Sequence, residues 1–326
     1  MNPVSTTVRL HRHLAMGTEF LLYLEPAEMS ETDERTLVQA VFAEVDRVES
    51  IFSRFRPASE ISRLNRMAAQ GPVVTDPEVF QMLSVARSLW QLTGGTFDVA
   101  MGRLSRAWGF AQKSPHMPDK EELASARAAS GMAQVVLDPE WRTVSFNTPG
   151  VELDLGAFAK GYAVDCALHL LTAQGVPGLI NAGNSSLAAS GEPFESGWPI
   201  EVCSPQLPSV PAQTLSRVLL HTNSMGSSGI MEQKLEQGGQ TFSHLFDPRT
   251  LGAEPGEQVR TAQVLQASVL APTAALADAL STALFVLGPV EGAAVLVSFP
   301  AMAALWVLAE EGQIRSIEHN WPASCA

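Results

Sequence analysis

Apolar residues recur at helical spacing in several stretches of the chain. The first stretch follows Ser30, a typical N-cap residue. Its apolar positions are Leu37, Val41, Val45, Val48 and Phe52. A second helix is predicted from Asp76-Pro77, where an N-cap precedes a proline suited to a first helical turn, as far as the glycines at 94–95. Further helices are predicted over 123–129, 159–173 and 271–287.

Short runs of strand-like composition lie between these helices, mostly in groups. They cover 8–24 (broken at Met16-Gly17-Thr18), 135–137, 143–146, 151–154, 178–202, 218–221 and 242–245, with a closing hairpin near 303–308 and 313–317. Strands that arrive in groups, without strict alternation with helices, favour an α+β fold over a doubly wound sheet. We therefore predict one elaborate domain over residues 1–326, with an antiparallel or mixed sheet core and flanking helices.

The composition of the 326-residue chain is typical of a folded protein with a large core. Hydrophobic residues make up 46% and charged residues 17%, so disorder is not expected. The formal net charge is −13, and such a surface repels nucleic acid and anionic lipid, so we expect no nucleic-acid partner. An anionic ligand would need local cations, a metal ion or helix N-termini at its site to offset the same repulsion.

One apolar stretch is long enough to raise the question of a membrane span. Residues 269–290 contain Pro272 and Asp278, and a central carboxylate is costly inside a bilayer, so we predict a buried core helix and no transmembrane segment. The N-terminus shows no apolar run of signal-peptide length before Glu19 and no lipoprotein signal. The expected location is therefore cytoplasmic.

A segment rich in small residues, 154–165, leads from a predicted strand into a predicted helix. Small residues let backbone N–H groups and the helix N-terminus approach a phosphate, which Lys160 can neutralise. The spacing is not that of a Walker loop. Taken alone, an ordinary strand-to-helix turn with a solvated lysine is the simpler explanation.

Asp278 and Thr282 stand four residues apart on one face of an otherwise apolar helix. A buried charge needs a partner. Hard oxygen ligands suit Mg²⁺, which completes its shell from phosphate and water. The alternative is that Asp278 caps a turn or pairs with an arginine, while Thr282 bonds its own helix backbone. The pattern alone does not decide between them.

Three further segments carry polar groups suited to a ligand site. His244 lies at a strand end, three residues before the Asp247-Pro248 turn, and is either a general base or an ordinary strand-end residue. Asp98 follows a helix stop and a possible strand start at 93–98, and it accepts hydrogen bonds either from a ligand or from its own turn. The glycine-rich segments 181–186 and 224–229 are predicted as hairpin or loop turns whose small donors could line a ligand.

Taken in order, these segments resemble the FAD:protein FMN transferase family. The matching motifs are Met16-Gly17-Thr18, Phe52-Ser53 with 59–65, 93–98, 154–165, 180–183, Ser228-Gly229, 244–250 and 277–282. They extend from about residue 14 to 290, and chance agreement of so many ordered motifs is remote. The resemblance implies a single α+β unit with FAD in a cleft between its parts. It implies transfer of the FMN half of FAD to a threonine or serine of an acceptor flavoprotein, with release of AMP.

The resemblance also implies roles for individual residues. Mg²⁺ on the FAD pyrophosphate would be held by Asp278, Thr282 and the backbone carbonyl of Ala157. His244 would deprotonate the acceptor hydroxyl, and together with Asp278 it makes up the predicted catalytic pair. The residues expected to contact FAD are Met16, Thr18, Phe55, Phe97, Asp98, Lys160, Ser228 and His244.

The chain departs from the usual family motifs in four places. Phe55 stands where tyrosine is usual, Ala157-Phe158 replaces Gly-Ile, segment 183–186 lacks a second glycine, and Leu251 stands where glycine is expected. Two other functions remain open: magnesium-dependent hydrolysis of FAD to FMN and AMP, and FAD binding without turnover. The Asp278 and Thr282 pair favours the two enzymes over the carrier, but it does not separate transfer from hydrolysis.

Overall fold

The computed structural model describes residues 8–25, 29–191, 193, 197–206, 211–230, 234–237, 240–250, 264–310 and 313–324. An eight-stranded sheet, antiparallel at every pairing, forms the centre of the protein. In order across the sheet, its strands are β1 (Arg9–Ala15), β2 (Thr18–Leu24), β6 (Gly178–Ala182), β7 (Ser186–Ser190), β10 (Ser224–Gly229), β13 (Val264–Ala271), β14 (Ala303–Glu310) and β15 (Gln313–His319).

The described helices lie around this sheet, and three of them form its main cover. They are α1 (Glu31–Phe52), α2 (Glu60–Met67), α3 (Pro77–Leu92), α4 (Gly102–Ala107), α5 (Lys120–Ala128), α6 (Gly156–Ala173) and α7 (Ala274–Leu296). Helices α1, α6 and α7 share the large core with one face of the sheet. The arrangement confirms the predicted α+β class.

Three smaller groups of strands complete the fold. A three-stranded sheet, in the order β3 (Val73–Val74), β5 (Thr143–Phe146) and β4 (Val135–Asp138), belongs to the main core. The hairpin of β8 (Trp198–Cys203) and β9 (Thr214–Leu220) covers the opposite face of the large sheet and forms a second core. A short ribbon pairs β11 (Lys234–Gln237) with β12 (Gln240–Ser243).

Local sequence signals account for the helix starts. Ser30 accepts a hydrogen bond from the N–H of Asp33 at the start of α1. Asp76 does the same for Glu78 at the start of α3, just before Pro77. These caps satisfy backbone donors that have no partner inside the helix. The apolar pattern does not predict α2 or α4, because each is only two turns or less.

Several predicted strands differ from the structure. Segments 96–98 and 151–154 are not strands, and α6 begins at Gly156, three residues before the predicted start. Segment 224–229, predicted as turns, is the central strand β10. The pattern also misses β13, because a strand buried on both faces has no polar alternation and merges with the apolar helix after it.

Helix α7 is oriented by its contacts with α6. The carboxylate of Asp165 in α6 accepts hydrogen bonds from the N–H groups of Ala274 at 2.7 Å and Ala275 at 2.9 Å. Gly161 allows the close approach, since a Cβ there would lie 2.3 Å from the carbonyl oxygen of Ala274. Among the described residues, α7 alone is long and apolar enough to span a membrane by length and hydropathy. Most of its first half is buried against the sheet and α6, as predicted for a core helix.

Candidate active site

A cavity of about 960 Å³ lies where the first turns of α6 and α7 meet the ends of the sheet strands. Its volume is near the upper end of the usual range for ligand pockets. Every residue predicted to contact FAD or hold Mg²⁺ lines it. These residues are Met16, Thr18, Phe55, Phe97, Asp98, Ala157, Lys160, Ser228, His244, Asp278 and Thr282.

The β1–β2 hairpin supplies the edge of the cavity at Met16 and Thr18. Its two-residue turn has positive φ at both positions, 52° at Met16 and 75° at Gly17, which is the conformation that joins twisted antiparallel strands. Gly183 in the β6–β7 turn packs against Thr18, since a Cβ there would lie 2.4 Å from the threonine hydroxyl oxygen. The two hairpin turns thus meet at the cavity.

The carboxylate of Asp278 is the central polar group of the site. It accepts hydrogen bonds from the backbone N–H of Gly161 at 2.9 Å and from the Ser186 hydroxyl at 2.7 and 2.8 Å. Burial raises the pKa of Asp278 to about 7, against the opposing influence of Lys160. Neither a turn cap nor an arginine partner explains this residue, so the structure does not support the alternative left open by the sequence.

A group of hydroxyls lies one helical turn along α7 from Asp278. Ser228 in β10 is within hydrogen-bond distance of Thr282 at 3.1 Å and of Ser281 at 2.9 Å. Thr282 therefore bonds across to the sheet. The sheet can approach α7 this closely because of Gly226, where a Cβ would lie 2.4 Å from the carbonyl carbon of Ala277.

The oxygen donors fit Mg²⁺ in kind. Asp278 offers a buried carboxylate, Thr282 a hydroxyl and Ala157 a backbone carbonyl, all lining the cavity. In a regular helix, the N–H of Gly161 donates to the carbonyl of Ala157. Here this N–H donates to the carboxylate of Asp278. The described residues contain no group of three or more histidine, cysteine, aspartate or glutamate side chains placed to hold a metal ion on their own. A partial set of this kind suits Mg²⁺, which takes its remaining ligands from phosphate and water.

Lys160 lies in the second turn of α6, half-buried, and its ammonium group donates to the hydroxyl of Ser185. It is therefore held in place, which contradicts the solvated lysine that the sequence alone favoured. The residues lining the cavity include four cations, Arg54, Arg56, Lys113 and Lys160, and four acids, Glu49, Asp98, Asp154 and Asp278. Among the described residues, the cavity lining is thus balanced in formal charge although the chain carries −13.

Phe55 presents an exposed ring at the cavity, with 68% of its surface accessible. The guanidinium of Arg54 lies over this ring, 4.8 Å from its centroid, and pairs with Asp154 at 3.1 Å. An aromatic ring backed by an anchored cation is a suitable platform for a planar ligand group.

Phe97 and Asp98 line the cavity, but their side chains also pack and hydrogen-bond within the protein. The ring of Phe97 is buried and packs edge-on against Phe158, with centroids 5.7 Å apart. The carboxylate of Asp98 accepts from the N–H groups of Ala100 at 2.8 Å and Met132 at 2.7 Å, and burial raises its pKa to about 6. The sequence left open whether Asp98 accepts hydrogen bonds from a ligand or from its own turn. The structure shows hydrogen bonds from backbone N–H groups of the chain.

His244 follows β12 and lines the cavity. Its ring packs edge-on against Phe110, with centroids 6.4 Å apart. Phe246 packs on both Phe110 and Trp108. This small aromatic cluster, separate from the main core, fixes the loop that carries the histidine.

Known proteins resemble this chain in both sequence and fold. The sequence profile of the ApbE family matches residues 16–306. The chain belongs to the ApbE family.

Similar proteins include the FAD:protein FMN transferase of Haemophilus influenzae, 30% identical over 282 residues, which are 84% of this chain and 79% of that protein. The FAD:protein FMN transferase of Treponema pallidum is 30% identical over 291 residues, or 84% and 77%. The crystal structure of the ApbE protein of Thermotoga maritima is 28% identical, with a TM-score of 0.80 over 95% of this chain and 96% of that one.

Membership of the ApbE family confirms the resemblance found in the motifs, while the roles of individual residues stay predictions. The sequence did not single out Ser185, Ser186, Gly161 or Asp165, each of which holds a charged group or a helix of the site. The two serines were visible only as small donors in segment 181–186. Nothing local in the sequence indicates which distant charges they meet.

The close contact between β10 and α7 can be tested by adding one methyl group. Gly226→Ala is expected to lower the free energy of unfolding by about 1–3 kcal/mol, because the new Cβ overlaps helix backbone that cannot move aside cheaply. Gly229→Ala on the same strand is the matched control. It should lower the free energy of unfolding by less, since its new Cβ would lie 3.0 Å from its nearest neighbour. Urea unfolding measures both, and a Gly226→Ala variant as stable as the wild type would contradict the described contact.

Proposed function

We propose that this protein catalyses magnesium-dependent transfer of the FMN half of FAD to a threonine or serine hydroxyl of an acceptor flavoprotein, with AMP as the second product. One observation carries the proposal: Lys160, Asp278, Thr282 and His244 line a single cavity. The relatives named FAD:protein FMN transferase support the same reaction.

Charge neutralisation is the first requirement of an attack on a pyrophosphate. Lys160 supplies a fixed cation, and the first turn of α6 lines the cavity beside it. Mg²⁺, held by Asp278, Thr282 and the Ala157 carbonyl, would add Lewis-acid stabilisation of the phosphate oxygens. Because the cavity lining is balanced in charge, the acidic surface of the chain does not prevent an anionic ligand from binding there.

A positioned nucleophile is the second requirement. The acceptor hydroxyl oxygen attacks the phosphorus of the FMN half, and the new P–O bond forms as the bond to the bridging oxygen breaks. AMP leaves with that bridging oxygen. His244, on its packed loop, accepts the proton of the hydroxyl.

The motif departures are compatible with this chemistry where the structure describes them. Phe55 keeps an exposed ring at the cavity. Ala157 contributes a backbone carbonyl, so its side chain is not decisive. Asn184 adopts a positive φ of 57°, a conformation that asparagine tolerates better than most residues. Leu251 lies outside the described residues.

The deciding experiment separates the three candidate functions in one assay. Purified protein is incubated with FAD, Mg²⁺ and a candidate acceptor flavoprotein, then run on a denaturing gel and read by flavin fluorescence. We expect fluorescence covalently bound to the acceptor, dependent on Mg²⁺, with AMP formed in equal amount. Free FMN and AMP without labelled acceptor would indicate a hydrolase, and unchanged FAD would indicate a carrier.

The role of His244 has its own test. His244→Ala is expected to lower the transfer rate by about a hundredfold or more, the usual contribution of a positioned base, while FAD affinity is retained. His169→Ala, on the exposed side of α6, is the matched control and should leave both unchanged. If FAD affinity falls in proportion to the rate, His244 is a binding residue and the proton acceptor lies elsewhere.

A further inference from the structure

Ser185, the last residue of the β6–β7 turn, and Ser186, the first residue of β7, each bond to one of two oppositely charged groups in the cavity. The hydroxyl of Ser185 accepts a hydrogen bond from the ammonium group of Lys160. The hydroxyl of Ser186 lies 2.7 and 2.8 Å from the two carboxylate oxygens of Asp278.

Ser186 is a hydrogen-bond donor to Asp278. In its ionised form, the form that would bind a cation, the carboxylate only accepts hydrogen bonds, and the serine hydroxyl supplies the proton. Ser186 has no accessible surface, which leaves water no room to replace it. With the N–H of Gly161 at 2.9 Å, it provides the second donor that fixes the orientation of the carboxylate.

Ser185 bonds the other charged group, the ammonium group of Lys160. Its side chain is also buried, with 6% accessible surface, and it anchors an otherwise flexible lysine. A lysine side chain loses considerable rotamer entropy when it becomes ordered. Because Lys160 is already ordered before the ligand binds, phosphate binding loses less side-chain entropy.

The two contacts form a matched pair between β7 and α6. Lys160 and Gly161 are consecutive in α6, and Ser185 and Ser186 are consecutive in the β6–β7 turn and β7. Lys160 bonds Ser185 directly, and Asp278 bridges Gly161 and Ser186. The cation and the carboxylate are thereby held apart on adjacent anchors and do not collapse into a direct ion pair.

We propose that Ser186 is a positioning residue for the metal ligand Asp278 and that Ser185 is a positioning residue for Lys160 at the phosphates of FAD. The Ser186 half rests on the proposed magnesium site, whereas the Ser185 half requires only that FAD binds in the cavity. A purely structural role would make both serines stabilise the fold without separate effects on the two ligands.

The test compares Ser185→Ala and Ser186→Ala by calorimetry in two titrations. In EDTA, FAD binding should weaken about five-fold in Ser185→Ala, the effect of one hydrogen bond, and stay unchanged in Ser186→Ala. In Mg²⁺ titrations of the FAD-loaded protein, the dissociation constant should rise about 10-fold or more in Ser186→Ala, as for other residues that orient a metal ligand, and stay unchanged in Ser185→Ala.

Ser190→Ala is the matched control on the same strand, because Ser190 is buried but bonds Thr172 away from the cavity. Ser186→Cys, with a weaker donor of similar size, should show an intermediate Mg²⁺ affinity and covers the case in which Ser186→Ala does not fold. Equal changes in both titrations for the two serine variants, or changes no larger than those of Ser190→Ala, would overturn the inference. A wild type that binds FAD but no Mg²⁺ would overturn the metal assignment and the Ser186 half, while the EDTA titration still decides the Ser185 half.

Discussion

The structure depends on one constraint, which is that a carboxylate inside the core must be held by fixed donors. Asp278 meets this constraint through Gly161 in α6 and Ser186 in β7. Both contacts require the helices and the sheet to pack closely. Gly161 allows α7 to approach α6, and Gly226 allows it to approach β10. Asp165 fixes the direction of α7 by bonding its first N–H groups. The close packing of α7 on α6 and β10 therefore also determines where the Asp278 carboxylate lies.

The same arrangement explains how an acidic protein can offer a site for an anionic ligand. In the part of the chain that the structure describes, cations and acids line the cavity in equal number. The two charges assigned to the predicted pyrophosphate site, Lys160 and Asp278, have separate anchors. Burial raises the pKa of Asp278, which means that the isolated carboxylate is not well stabilised as an anion. A bound cation would relieve that cost.

Local patterns in the sequence predicted much of the fold, and the family resemblance named residues that line one cavity. The caps at Ser30 and Asp76 and the spacing of Asp278 and Thr282 are short-range signals, and the ordered motifs identified the family. The supporting contacts are long-range: Ser186 meets Asp278 across 92 residues and Gly161 meets it across 117. Strand β10 was mistaken for turns because it is rich in serine and glycine, which are also turn formers. Two of these residues, Gly226 and Ser228, contact α7. Strand β13 was missed because burial on both faces removes the polar alternation of an ordinary strand.

The central claim is that Asp278 holds Mg²⁺ at the pyrophosphate of FAD. Calorimetric titration of Mg²⁺ into the FAD-loaded protein tests it directly, with Asp278→Asn as the variant, because the amide keeps the shape of the side chain and removes its charge. We expect the wild type to bind Mg²⁺, the Mg²⁺ affinity to fall by about a hundredfold or more in Asp278→Asn, and FAD binding in EDTA to be retained. An Asp278→Asn protein that binds Mg²⁺ as tightly as the wild type would contradict it.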